Sequence, residues 1–300
     1  MNRTITKITT ALLITLGLLV ITGCESARYI RSAQNHFNQA AQQENQLLAK
    51  SLAAYQAGAD ASGTSSALTD YKMALSLVDR AIRENGAKLR QEKLLGTAYM
   101  IKAMSLWRIS DLNGTPPDML ESPSAASSVE NPVISSPERK ELVVLIPTIK
   151  RELADAQQPI TLGTRDSVML IALPGLLDHD RGRLVTSLNR ADAYFASAYQ
   201  VLGKAAAEAP ADHPVHLYLV MAQLQTLNAW ANAIDRLGRR EDLPPGERRK
   251  LVKNNVHTRV SKSLCSIKDL WNGNREIQDQ LTQFLFLTGI SWNDAVSPCN

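Results

Sequence analysis

The chain has 300 residues, 44% apolar and only 5% aromatic, with 33 Lys or Arg against 29 Asp or Glu. A formal charge of +4 over that length excludes the strongly basic balance of a nucleic-acid binder and gives no sign of membrane-surface binding. Ala, Leu, Gln, Lys, Arg and Glu dominate and β-branched runs are few, which favours helix.

The chain opens on a basic tip, Arg3 and Lys7, followed by about 14 apolar or small residues from Ile8 to Ile21. A transmembrane helix needs about 20, so the run has the length of a secretory signal core. Ile21-Thr22-Gly23 leads directly into Cys24. A branched residue, a small residue and a glycine before a cysteine, behind a basic tip and an apolar core, resembles a bacterial lipobox. The resemblance covers about the first 25 residues. It implies a signal peptide at 1–23, cleavage before Cys24, and a diacylglyceryl group on the Cys24 thiol with acylation of its amine. Several acyl chains on one residue would anchor the protein firmly, since each buried CH₂ contributes about 0.8 kcal/mol. An ordinary signal peptide or a membrane anchor, with Cys24 incidental, stays open. In Gram-negative lipoproteins an Asp after the cysteine retains the protein at the inner membrane. Glu25-Ser26 lacks it, which implies the outer membrane, facing the periplasm.

Residues 27 to 57 read as a long amphipathic helix, with Ile30, Ala33, Phe37 and Ala40 at steps of three or four. "GADASGTSS" at 58 to 66 breaks it. A second helix is expected from Ser66 to Glu84, with Tyr71, Ala74, Val78 and Ile82 inward and Gly86 as its stop. A third, from 88 to 109, is apolar on nearly every side in its second half, which places Trp107 in a core. These hairpins form an N-terminal region, 24–110. A Ser/Pro-rich loop or linker occupies 111–136. A C-terminal helical region, 137–300, is expected to pack with the first as one domain.

Ser136-Pro137-Glu138 has the pattern of an N-cap, a proline at N1 and an acid in the first turn. The helix it starts runs toward Gln157, with a kink or break at Pro147. A short helix within 164 to 182 ends around Pro174-Gly175. Further helices are expected at 183 to 207, 214 to 239 and 245 to 271. The second of these carries a stripe through Leu217, Val220, Leu224, Leu227 and Ala231. The stretch from 280 to 292 is apolar and open between helix and extended chain. No region is rich in strand signals, so the expected fold is all-α, built of antiparallel helix pairs.

Leu95-Gly96-Thr97-Ala98-Tyr99 has the spacing Leu-Gly-x-x-Tyr. Ala67, Tyr71 and Ala74, like Ala191, Phe195 and Ala198, have a small–aromatic–small spacing. These pieces resemble degenerate tetratricopeptide repeats interrupted by an insertion. Glu92 stands where the repeat has Trp, and Arg108 where it has a small residue. The two small–aromatic–small sets lie 124 residues apart, no multiple of the 34-residue period. Generic antiparallel helix pairs give the same spacing, so a tetratricopeptide-like solenoid and an irregular bundle both stay open.

With Cys24 as the lipid site, Cys265 and Cys299 remain, an even pair that suits a disulfide in an oxidising compartment. The best-placed metal ligands are Asp178, His179 and Asp180 with Asp212, His213 and His216. Pro214 lies between the last two histidines, and Asp at a helix start serves as a cap. No Gly-x-Ser-x-Gly elbow or phosphate-cradling loop occurs. Arg239-Arg240 and Arg248-Arg249-Lys250 flank a Pro-Pro-Gly turn, as an exposed helix start or a patch for an acidic partner. Trp230, Trp271 and Trp292 read as core or pocket lining.

The expectation is a non-catalytic, lipid-anchored scaffold with a protein or peptide partner, no cofactor, no metal and no nucleic acid. A small-ligand carrier, similar to the tetratricopeptide-like lipoproteins of tripartite transport systems, is the alternative. A metal-dependent hydrolase using His179, His213 and His216 is the remote one.

Overall fold

A computed structural model describes residues 25–56, 67–113 and 136–299. The proposed signal 1–23, Cys24, the break at 58 to 66 and most of the Ser/Pro-rich stretch lie outside the described residues. Those described form an all-α protein. It divides into two compact units, one holding residues up to 115 together with 135–166, the other holding 167–300.

The first unit contains α1 (Glu25–Gln56), α2 (Ala67–Gln91), α3 (Leu95–Leu112) and α4 (Pro137–Leu153). Arg80 covers the ring of Tyr29 while Tyr71 meets Glu44, so α1 and α2 run antiparallel. Lys102 Nζ bonds Asp79 at 2.7 Å and Glu141 at 2.5 Å, tying α3 to α2 and α4. Helix α4 therefore belongs to the body built by the first three helices.

The second helix breaks where its sequence predicts, beside Gly86: Asn85 leaves helical geometry (φ −132°, ψ 18°), and a further helical stretch continues to Gln91. The true end lies at Lys93, whose φ is +59°. Leu94 N–H donates to the Leu89 carbonyl at 2.7 Å and Lys93 N–H to Arg90 at 3.0 Å. This is a Schellman ending with lysine where glycine is usual. The same device closes the helix Pro214–Arg240: Asp242 has φ +56°, and Leu243 N–H reaches the Gly238 carbonyl at 2.8 Å. In both, a leucine follows the left-handed residue.

Helix α4 starts as its sequence predicts, with Ser136 Oγ accepting from Arg139 N–H at 3.3 Å. It passes through Pro147 without a break and ends at Leu153. Pro147 is exposed, so the Val143 carbonyl that loses its intrahelical donor stays on the solvent side, where water can satisfy it.

The second unit starts within α5 (Thr164–Leu184) and continues with α6 (Leu188–Glu208) and α7 (Pro214–Arg240). Helix α5 also overrides its expected stop and runs through Pro174 and Gly175. A Cβ at Gly175 would meet Val201 at 3.1 Å, so the glycine serves close packing against α6 rather than termination. Asp192 pairs with Trp230, Gln223 with the Tyr199 carbonyl and His216 with the Ala206 carbonyl, which sets α6 and α7 antiparallel.

The expected helix from 245 to 271 is continuous to Cys265, as α8 (Pro245–Val252), a π-helical turn (Lys253–His257) and α9 (Thr258–Cys265), and then breaks before the short α10 (Lys268–Trp271). The remaining chain forms α11 (Arg275–Gln283), a 3₁₀ turn (Phe286–Thr288), α12 (Trp292–Val296) and a last turn at Ser297–Cys299. Cys265 and Cys299 lie at bonding distance, S–S 2.01 Å and Cα–Cα 5.1 Å.

Candidate functional site: side-chain networks and an exposed helical face

In the first unit a polar network joins three helices. Glu44 accepts the Tyr71 phenol proton at 2.5 Å and Arg108 Nε–H at 3.1 Å, and a second Arg108 N–H reaches its other oxygen. Arg108 also donates to Asp111 Oδ2 at 2.8 Å and lies 4.7 Å from the Trp107 ring centroid. Beside it, Asp70 receives Gln43 at 3.0 Å and sits 2.9 Å from His36 Nδ1. Phe37 packs edge-on against Tyr71 at 5.2 Å. Glu44 and Asp111 both face Arg108, and together with the Tyr71 and Asp70 contacts they lock α1, α2 and α3 together.

Burial, then the Glu44 carboxylate, pushes the Tyr71 phenol well above its ordinary 10.0. The folded chain keeps that proton where the unfolded chain releases it. Stability is therefore intact below pH 10 and falls as pH rises beyond it. The expected slope is about 1.4 kcal/mol per pH unit. Tyr71→Phe should remove one proton's worth of that slope in urea titrations above pH 10; an unchanged slope would show that Tyr71 titrates normally.

In the second unit Trp230 Nε1–H donates to Asp192 at 2.5 Å, and its ring stacks with Phe195 at 6.3 Å. The Arg259 guanidinium stands 5.2 Å from the Trp230 ring and 5.9 Å from Tyr199. Burial raises the Asp192 carboxyl, opposed by the Trp230 hydrogen bond.

The histidines each have their own local role. His179 Nδ1 is 3.0 Å from Thr226 Oγ1, His213 Nδ1 caps α7 by accepting from Val215 N–H at 3.1 Å, and His216 Nδ1 is 2.9 Å from the Ala206 carbonyl. Asp178 engages Arg181 at 3.1 Å and Ser197 at 2.7 Å, and Asp180 is buried. Among the described residues no three His, Cys, Asp or Glu side chains are grouped to hold a metal ion. Trp230 and Trp271 are buried, and Trp271 meets Trp292 edge-on at 5.5 Å. Trp107 is in the core, as its helix predicts. Arg239 and Arg248 both pair with Asp235, while Arg249 and Lys250 are exposed.

The surface of α4 differs from an ordinary solvated helix face. Leu142, Leu145, Ile146 and Ile149 point into the unit. On the opposite side Val143 is 46% and Val144 66% exposed, with Pro147 exposed one turn on. Lys140, Lys150 and Arg151 stand exposed around them. Val143, Val144 and Pro147 thus form a small apolar centre with a charged rim.

No family model, curated protein or solved structure matches the chain. Among the described residues no helix is long and apolar enough to cross a membrane.

Proposed function

We propose that the protein is a helical scaffold, anchored by lipid at Cys24 to the periplasmic face of the outer membrane, that docks a protein or peptide partner on the outer face of α4. The Val143–Val144 step carries this reading. Two adjacent branched side chains are exposed where the helix could as easily present charge. The cationic rim suits a partner with acidic residues flanking an apolar anchor. The residues around Cys24 support the anchor.

The test is a photo-crosslinking residue at Val144 in the full-length chain in its native envelope, beside the same residue at exposed Ala156. A protein trapped at Val144, absent at Ala156 and lost in Val143→Glu, is the expected result. The same adducts from both positions would reject the reading.

A further inference from the structure

Residues 248 to 268, from α8 through the π-turn to α10, contain seven Lys or Arg and no Asp or Glu. The excess of cations over acids in the whole chain is only four. The near-neutral overall balance thus conceals a strongly cationic segment. Arg248 is accounted for by Asp235 and the Leu243 carbonyl, and Lys268 donates to the Cys299 carbonyl at 2.7 Å. Arg259 is held over Trp230 and Tyr199. The other four, Arg249, Lys250, Lys253 and Lys262, are exposed and form no ion pair with any described residue.

An apolar tip adjoins this stripe. His257, one turn beyond Lys253, has Nε2 2.9 Å from the Thr288 carbonyl. The two residues before Thr288 are Phe286, 65% exposed, and Leu287, 44% exposed. Their turn is fixed rather than loose, since Leu287 N–H donates to Asn228 Oδ1 at 2.9 Å and Thr288 Oγ1–H to the Leu285 carbonyl at 2.5 Å. An aromatic and an aliphatic side chain held out at a turn, beside unpaired Lys and Arg, match the two parts of an anionic bilayer surface. The cations meet phosphate headgroups and the apolar pair enters the acyl boundary.

We propose that Arg249, Lys250 and Lys253 together with Phe286 and Leu287 form a second membrane contact, which binds anionic phospholipid. The choice of a lipid surface over an acidic protein rests on the proposed anchor at Cys24, which would tether the chain to a headgroup surface. The contact uses the second unit and leaves α4, on the first, as a separate surface.

Hydroxyl-radical footprinting of the full-length protein purified from envelope membranes tests this. The chain is placed in discs of phosphatidylcholine alone or of an equimolar mixture with phosphatidylglycerol. Mass spectrometry reads oxidation of Phe286 and, as a control on the first unit, of Met73. The same digest reads acylation of Cys24. Phe286 oxidation should fall several-fold only with phosphatidylglycerol, while Met73 stays unchanged. In the triple variant Arg249→Gln, Lys250→Gln, Lys253→Gln that protection should disappear, because each cation near the surface is worth about a fivefold shift toward the docked state. All three side chains are solvent-exposed, and circular dichroism checks that the variant keeps its helix content. Equal Phe286 oxidation in both discs, with Cys24 acylated, would overturn the contact and leave the anchor standing. Protection in both discs that survives the triple variant, or that follows a co-purifying protein, would also overturn it. Protection by phosphatidylglycerol on a chain without acyl groups would uphold the contact and remove the anchor.

Discussion

Gly96→Ala should destabilise the first unit by about 2–3 kcal/mol, the upper part of the overpacking range. The glycine lies in the first turn of α3, and a Cβ there would collide with the Thr161 carbonyl oxygen and sit 2.9 Å from Leu162 Cδ2. The first obstacle is backbone, so relief requires moving the whole 160–162 segment. The better helix propensity of alanine returns only about 1 kcal/mol. Gly86→Ala is the matched control. Nothing lies within 4 Å of its Cβ position, so the same substitution should raise stability by about 0.5–1 kcal/mol. Urea midpoints of the two variants should move in opposite directions. Equal shifts would mean that the 160–162 segment gives way freely.

The second large effect concerns the C-terminal bridge. Joining Cys265 to Cys299 closes a loop with a sequence separation of 34. On the chain-entropy model this is worth about 4 kcal/mol, and engineered cases often return less. A chain carrying Cys265→Ser and Cys299→Ser should lose stability of that order in the second unit. The loss should be visible in the fluorescence of Trp230, Trp271 and Trp292, which all lie there. A reducing agent should bring the wild-type chain to the same midpoint. If both forms melt with the oxidised protein, the bridge adds nothing.

The all-α fold was legible because apolar residues recur at three- and four-residue steps through almost every helix. Caps were legible where their chemistry is local, as at Ser136 and Pro137. The break at Pro147 and the stop at Pro174-Gly175 were misread for a shared reason. A breaker ends a helix only when no packed neighbour or solvated carbonyl compensates for it. Pro147 lies on the water side, and Gly175 lies under Val201, so both helices continue. The ending of α2 at Lys93 had no visible signal, since charged residues seldom adopt positive φ, whereas the end of α7 at Arg240 was legible from the turn that follows it. The network of Glu44, Tyr71, Arg108 and Asp111 was also hidden. Single charges in an amphipathic helix read as solvated, and Glu44 and Arg108 are 64 residues apart. The exposed Val143–Val144 step was likewise invisible, because hydrophobicity alone does not say which side faces out.

The π-turn at Lys253–His257 works as a phase correction. Arg248, Val252, Val256, Val260 and Leu264 recur every four residues, and the last three are buried. At 3.6 residues per turn, a four-residue repeat drifts by about 40° at each step, so an unbroken α-helix would carry its later members off the buried side. One widened turn takes up an extra residue and lets the inward series stay in line on both sides of it. Winding the turn as ordinary α-helix with all its residues kept would swing everything beyond it by about 100°. Cys265 would then face away from its partner cysteine. The bond at the end of the chain is thus aligned by an irregularity three turns upstream.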